Sequence, residues 1–241
     1  RAIHGGHPAG QNPPVICLTA DVFRDNALNV VLEHGVLPNI GSPGMIAELA
    51  AARYKGKISL RVNPGFGHGH VNSCDTGGPS SKHGIWHSDI AEAHAAAKAA
   101  GFPVSMLHAH IGSGPQFDEL VANLTRLTGE FAAMLPEFPE LEAVSLGGGI
   151  PHNYRDPSAV QPIHRLRELF VAAQEKLSQA AGLPLRLEIE PGRYYVAPSC
   201  TLVTRVTDVK RTRDNDKGNG ATFAMVDAGF VDLVRPAMYG S

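Results

Sequence analysis

The sequence predicts an α/β fold built on a parallel sheet, and three observations carry that expectation. Short β-branched or apolar runs alternate with longer stretches of helical periodicity through residue 196, the order expected when each strand returns to a parallel neighbour through a helix. Glycines and polar residues gather where those runs end, at Asn63-Pro64-Gly65, Gly112-Ser113-Gly114, Gly147-Gly148-Gly149 and Glu190-Pro191-Gly192-Arg193. Beyond Tyr195 the rhythm changes: Thr201 to Val209 and Thr222 to Val226 read as strands with no helix between them, so an antiparallel β region is expected from about Ala197.

Composition narrows the function classes. With 241 residues, 43% hydrophobic content and a formal net charge of -2, the chain buries a full core and offers no basic surplus for nucleic acid. No apolar run approaches membrane-spanning length and no charged-then-apolar leader opens the chain. The expectation is a soluble enzyme or binding domain. Cys17, Cys74 and Cys200 are odd in number and widely spaced, which suits neither a disulfide framework nor a zinc knuckle and points to a reducing cytoplasm. Arg1-Ala2-Ile3 reads as the middle of a helix and Met238 to Ser241 as an unfinished strand, so the complete protein is expected to be longer.

The elements follow in order. Val15 to Ala20 is the first strand, and the helix near Arg24 to His34 ends at Gly35. Leu37 to Ile40 is the second, followed by Ser42-Pro43 as cap and first turn of a helix reaching Arg53. Ile58 to Val62 is the third; the loop from Phe66 to Ile85, rich in Gly, Ser and His, is too long for a simple connection and reads as functional. Ser88 and Asp89 cap an alanine-rich helix that Gly101 ends. Val104 to Ile111 is the fourth strand, and Phe117, Leu120, Val121, Leu124 and Phe131 then mark a helix by their spacing. Ala143 to Leu146 is the fifth, a helix follows with Ile163, Leu166, Phe170 and Leu177 on one stripe, and Leu187 to Glu190 is the sixth.

Six strand-helix units with polar ends predict a (β/α)8 TIM barrel lacking its first two units, residues 1–196, followed by the start of a C-terminal β domain, residues 197–241. A doubly wound sheet is the alternative, but its dinucleotide fingerprint is missing, since no helix closely follows Gly65-Phe66-Gly67-His68-Gly69. Three successive glycines at a strand end allow backbone amides to close on an anion, most often phosphate. Glu190 and Arg193 place opposite charges at the next strand end, where Pro191 removes a ladder donor. Together these endings suggest a phosphorylated ligand between neighbouring strands.

His108 and His110 flank Ala109 and so share a strand face. They read as buried core histidines, as paired metal ligands of the barrel-hydrolase kind, or, for His110, as a ring-stacking group beside Ser113. Hydrolases of that kind carry the pair on their first strand and add later Asp ligands, which this chain does not supply, so no metal is expected. Histidines 68, 70, 83 and 87 crowd the long loop and are expected to face solvent.

His110-Ile111-Gly112-Ser113-Gly114, Gly147-Gly148-Gly149, Glu190-Pro191-Gly192-Arg193 and Arg235-Pro236-Ala237-Met238-Tyr239-Gly240 together resemble the pyridoxal-phosphate-dependent decarboxylases with an alanine-racemase-like barrel, and among them the diaminopimelate decarboxylases. Arg61 to Gly65 and Thr76 to Ile85 are similar to the same enzymes. The resemblance covers nearly the whole chain. It implies pyridoxal 5'-phosphate as cofactor, Glu190 at the pyridine nitrogen, and His110 over the ring face. Ser113, Gly147, Gly148, Gly149, Gly192 and Arg193 are then implied around the phosphate. Arg193, Arg235 and Tyr239 are implied to hold the substrate's far carboxylate, and Arg61 to orient. A homodimer with shared active sites is implied too.

Two departures stand beside it. The lysine that attaches the cofactor in this family lies on the first barrel strand, and Lys57, Lys98 and Lys176 are not in such a place. The family's C-terminal Cys-Glu pair and tyrosine are also missing, and Cys200 is in the wrong context. The chain alone is therefore expected to be inactive. Decarboxylation of meso-diaminopimelate is the leading expectation, decarboxylation of D-ornithine, D-lysine or another basic amino acid its rival. A non-catalytic barrel homologue is the reading from a different class.

Overall fold

The structure, a computed structural model, describes residues 15–67, 75–113, 116–154, 156, 158–234 and 238. The chain opens with β1 (Cys17–Ala20), α1 (Ala27–His34), β2 (Leu37–Ile40), α2 (Pro43–Ala51), β3 (Ile58–Asn63), the two-residue β4 (Ile85–Trp86) and α3 (Ile90–Ala99). It continues through β5 (Val104–His108), α4 (Phe117–Met134), β6 (Ala143–Ser145), α5 (Ile163–Ala181), β7 (Arg186–Glu188) and α6 (Gly192–Val196). The order in the sheet is β1-β2-β3-β5-β6-β7, all neighbours parallel, with β4 beside the end of β3. Strand order never reverses, which excludes the doubly wound alternative and describes an arc of a (β/α) barrel.

The two faces of this sheet differ because side chains alternate along a strand. Ala20, Ile40, Leu60, Leu107, Val144 and Leu187 are cross-strand partners in one continuous row. They share a core with Val31 of α1, Met45 and Leu49 of α2, Ala97 of α3, Leu127 and Phe131 of α4 and Leu177 of α5. On the opposite face the rows turn polar. Asn39 Nδ2 donates to Thr19 Oγ1 at 3.1 Å, and Ser59 Oγ donates to Asn39 Oδ1 at 2.9 Å. One step nearer the C-terminal ends, Arg61, His108, Ser145 and Glu188 are aligned.

Several boundaries differ from expectation for local reasons. The first helix starts at Ala27 because Asp25 takes a left-handed conformation (φ 51°), while Gly35 (φ 64°) ends it as expected. Ser42 does not cap α2 through its side chain; its hydroxyl donates to the Asp21 carbonyl at 2.8 Å and ties the helix start to the end of β1. Ser88 likewise bonds Asp89 instead of capping α3. The fourth expected strand stops at His108, so His110 to Ser113 form an irregular lip. After α6 a 3-10 turn (Ala197–Ser199) leads into β8 (Val206–Arg211) and β9 (Thr222–Val226), an antiparallel pair. Every residue of both strands is exposed, Val206, Val209 and Phe223 included. Among the described residues no helix is long and apolar enough to cross a membrane.

Candidate active site

The C-terminal ends of β5, β6 and β7 converge on one cluster. Glu190 N–H donates to the Gly147 carbonyl at 2.8 Å, and Gly148 N–H donates to His110 Nδ1 at 3.1 Å. Ser145 Oγ lies 3.4 Å from Glu190 Oε1, and His108 Nε2 lies 3.0 Å from the same oxygen. The glycines are required by crowding. A Cβ on Gly147 would stand 2.6 Å from the Ala109 carbonyl, on Gly148 2.2 Å from that of Glu190, and on Gly149 2.4 Å from that of Gly112. Side chains at these positions would drive the three strand ends apart.

The amides of the triple glycine are not all free for an anion. Gly147 N–H donates to Ser145 Oγ at 3.3 Å and that of Gly148 is taken by His110. The Gly149 amide and the Ser113 hydroxyl make no hydrogen bond among the described residues. At the other end of the cluster Glu190 Oε2 makes none either, and His108, only 1% exposed, has no hydrogen bond on either ring nitrogen. His108 Nε2 thus stands 3.0 Å from Glu190 Oε1 with its ring turned off hydrogen-bond alignment. A buried polar atom left so costs about 1–3 kcal/mol. Open donors at one end and an open carboxylate oxygen at the other fit a ligand with an anionic tail and a basic ring nitrogen.

Electrostatics sharpen the roles. Burial raises the Glu190 carboxyl, but His108, His110 and the Ser145 hydroxyl outweigh it and hold the group below the usual carboxylate range. Burial, Arg61 and His108 together push His110 down to about 4, so its ring is neutral, and acceptance of the Gly148 N–H places its proton on Nε2. Arg61 is 7% exposed; burial lowers its guanidinium, against the opposing pull of Asp21 and Glu190. The Cys17 thiol is pushed up to about 12 by burial and is inert.

The long loop is strapped to the strand ends over its described part. Asn63 Nδ2 donates to the carbonyls of Gly78 (3.2 Å) and Ser81 (3.4 Å), and Thr76 Oγ1 donates to the His110 carbonyl at 2.8 Å. His83 does not face solvent alone as expected: its Nδ1 sits 2.6 Å from Asp21 Oδ2, whose other oxygen accepts the Gly84 N–H at 3.1 Å. Sequence reasoning gave no role to Asp21 or Ser145, whose one signal was position at a strand end, and none to Asn63 or Thr76 beyond their place in motifs.

Of the expected site residues, His110, Gly147, Gly148, Gly149 and Glu190 come together, with Ser113 following Gly112 on the same lip. Gly192 opens α6 with its N–H on the Glu190 carbonyl at 2.9 Å, and Arg193 is half-buried beside it. Arg235 and Tyr239 lie outside the described residues, as do His68 and His70. The His87 ring lies tilted against that of Trp86, ring centroids 4.9 Å apart.

Comparison with known proteins agrees with this geometry. Residues 3–197 match the family model described as pyridoxal-dependent decarboxylase, pyridoxal binding domain. Diaminopimelate decarboxylase of Escherichia coli (strain K12) is 38% identical over 242 residues, covering 100% of this chain and 55% of that protein. The Streptomyces coelicolor enzyme of the same name is 38% identical over 249 residues, covering 100% and 53%. A crystal structure of diaminopimelate decarboxylase superposes with a TM-score of 0.82 at 40% identity, over 97% of this chain and 54% of the other. The chain spans about half the length of the curated relatives it matches. With the glycine lip, the open carboxylate and the whole-length match in agreement, the chain belongs to the pyridoxal-dependent decarboxylase family and carries its pyridoxal-binding domain.

Proposed function

We propose that the full-length protein decarboxylates meso-2,6-diaminopimelate to L-lysine and CO2, with pyridoxal 5'-phosphate held by this chain. The names of the relatives support the substrate. The observation that carries the residue roles is Glu190, whose Oε1 is approached by His108 and Ser145 while Oε2 makes no hydrogen bond among the described residues. Bound pyridoxal phosphate supplies the electron sink that loss of CO2 requires, and a protonated ring nitrogen strengthens that sink. Glu190, kept ionised, holds the proton at that nitrogen. His110, neutral, would face the ring without opposing its charge. The Gly149 amide, Ser113, Gly192 and Arg193 take the phosphate, while Gly147 and Gly148 shape the turn that presents them.

Arg193, Arg235 and Tyr239 hold the distal carboxylate, for which the planar guanidinium is suited. A substrate lacking that carboxylate forgoes these contacts, which disfavours D-ornithine and D-lysine. Residues 1–196 form the barrel domain and residues 197–241 open a C-terminal β domain. The working protein is a cytoplasmic homodimer with shared active sites. CO2 release by the full-length protein tests the reading: meso-diaminopimelate is expected to turn over in preference to D-ornithine and D-lysine, and Glu190→Gln to lower kcat on the order of 10²-fold or more with cofactor still bound. Full turnover by Glu190→Gln, or preference for a monocarboxylate, overturns it.

A further inference from the structure

Among the described residues, His108 is the one fully buried histidine of the mouth, and Glu190 is the one charged group at contact distance from it. It closes β5 between Arg61 of β3 and Ser145 of β6, its cross-strand partners. Glu190 differs sharply: its side chain is 46% exposed against 1% for that of His108. A half-exposed carboxylate beyond the end of a strand keeps its rotamers unless something anchors it. His108 from β5 and His110 from the lip after β5 act on Glu190 electrostatically, Arg61 of β3 is coupled to it, and Cys17 of β1 feels its charge as a neutral thiol. Of the described groups only His108 Nε2, at 3.0 Å, and the Ser145 hydroxyl, at 3.4 Å, come within reach of its oxygens.

We propose that His108 is a positioning residue that anchors Glu190 through Oε1, so that Oε2 alone faces the ligand and the carboxylate stays ionised there. The proposal rests on the assignment of Glu190 to the cofactor's ring nitrogen. It gives His108 a role distinct from core filling and from metal binding. Nδ1 points away from this contact, so the whole effect passes through Nε2. That atom sets the choice of variants: a glutamine amide reaches the place of Nε2, whereas an asparagine amide reaches only that of Nδ1.

The test uses the full-length protein in its cofactor-free form, with 13C-carboxyl glutamate and the Glu190 resonance assigned by its loss in Glu190→Gln. His108→Phe and His108→Asn are expected to raise the titration midpoint of Glu190 by about one unit, whereas His108→Gln leaves it near the native value. Cofactor affinity by equilibrium dialysis follows the same order, falling about tenfold in the first two. A core-filling histidine would instead move Asn and Gln variants alike. Should the Phe variant not fold, the Asn and Gln pair decides alone. An unchanged Glu190 titration in His108→Asn overturns the proposal. If the titration moves but Glu190→Gln keeps full turnover, the His108 contact stands and the role proposed for Glu190 falls.

Discussion

Leu60 and Arg61 are neighbours on β3, yet they belong to opposite worlds. Leu60 is 0% exposed in an apolar row that continues through Leu107 and Val144. Arg61 heads a row of His108, Ser145 and Glu188 in which polar groups lack partners or share them sparingly. The difference separates what holds the protein together from what it works with. The outer face is stabilised by area removed from water, a term indifferent to orientation. The inner face keeps hydrogen-bonding groups without protein partners among the described residues, and the outer face must offset their cost.

The largest effect that sharpens this contrast comes from the outer row. Leu107→Ala is expected to lower unfolding free energy by about 2–5 kcal/mol in urea titrations while the Glu190 carboxyl titrates as before. Comparable movement of both quantities would dissolve the distinction. Gly148→Ala tests the seam between the faces, because its Cβ would stand 2.2 Å from the Glu190 carbonyl. A stability loss of about 1–3 kcal/mol is expected, with a larger loss of cofactor affinity than Leu107→Ala gives, read by equilibrium dialysis.

A third test is a pH dependence. His110 is lowered from 6.5 to about 4 in the fold, so between those values the unfolded chain binds a proton that the native state refuses. Stability from this group is complete above about 6.5 and is lost as pH falls towards 4, at no more than about 1.4 kcal/mol per pH unit. His110→Phe is expected to flatten that window in acid titrations of the cofactor-free protein. Persistence of the slope would show that His110 is not the neutral ring of the inner face.

Much of the outer face was legible in the residues, because period-two and helical patterns are local and survive without knowledge of partners. The strand-end glycines were legible too, although for a different reason than the structure gives: Gly147 and Gly148 are needed for close backbone approach, and their amides are spent on Ser145 and His110. His83 was misread as solvent-facing because its partner, Asp21, lies 62 residues earlier on another strand end. Ser42 looked like a helix cap, and its hydroxyl instead joins α2 to β1.

What the amino-acid order determined alone was the alternation of strands and helices, the apolar stripe on each, and the residue types gathered at one end of the sheet. Which of those residues meet was decided only in three dimensions. Cross-strand register set Arg61 beside His108 and His108 beside Ser145, and convergence of the β5 and β7 ends brought His108 to Glu190. The reason is physical: a strand's periodicity is written in its own residues, whereas contact between strand ends depends on how a twisted sheet curves and closes.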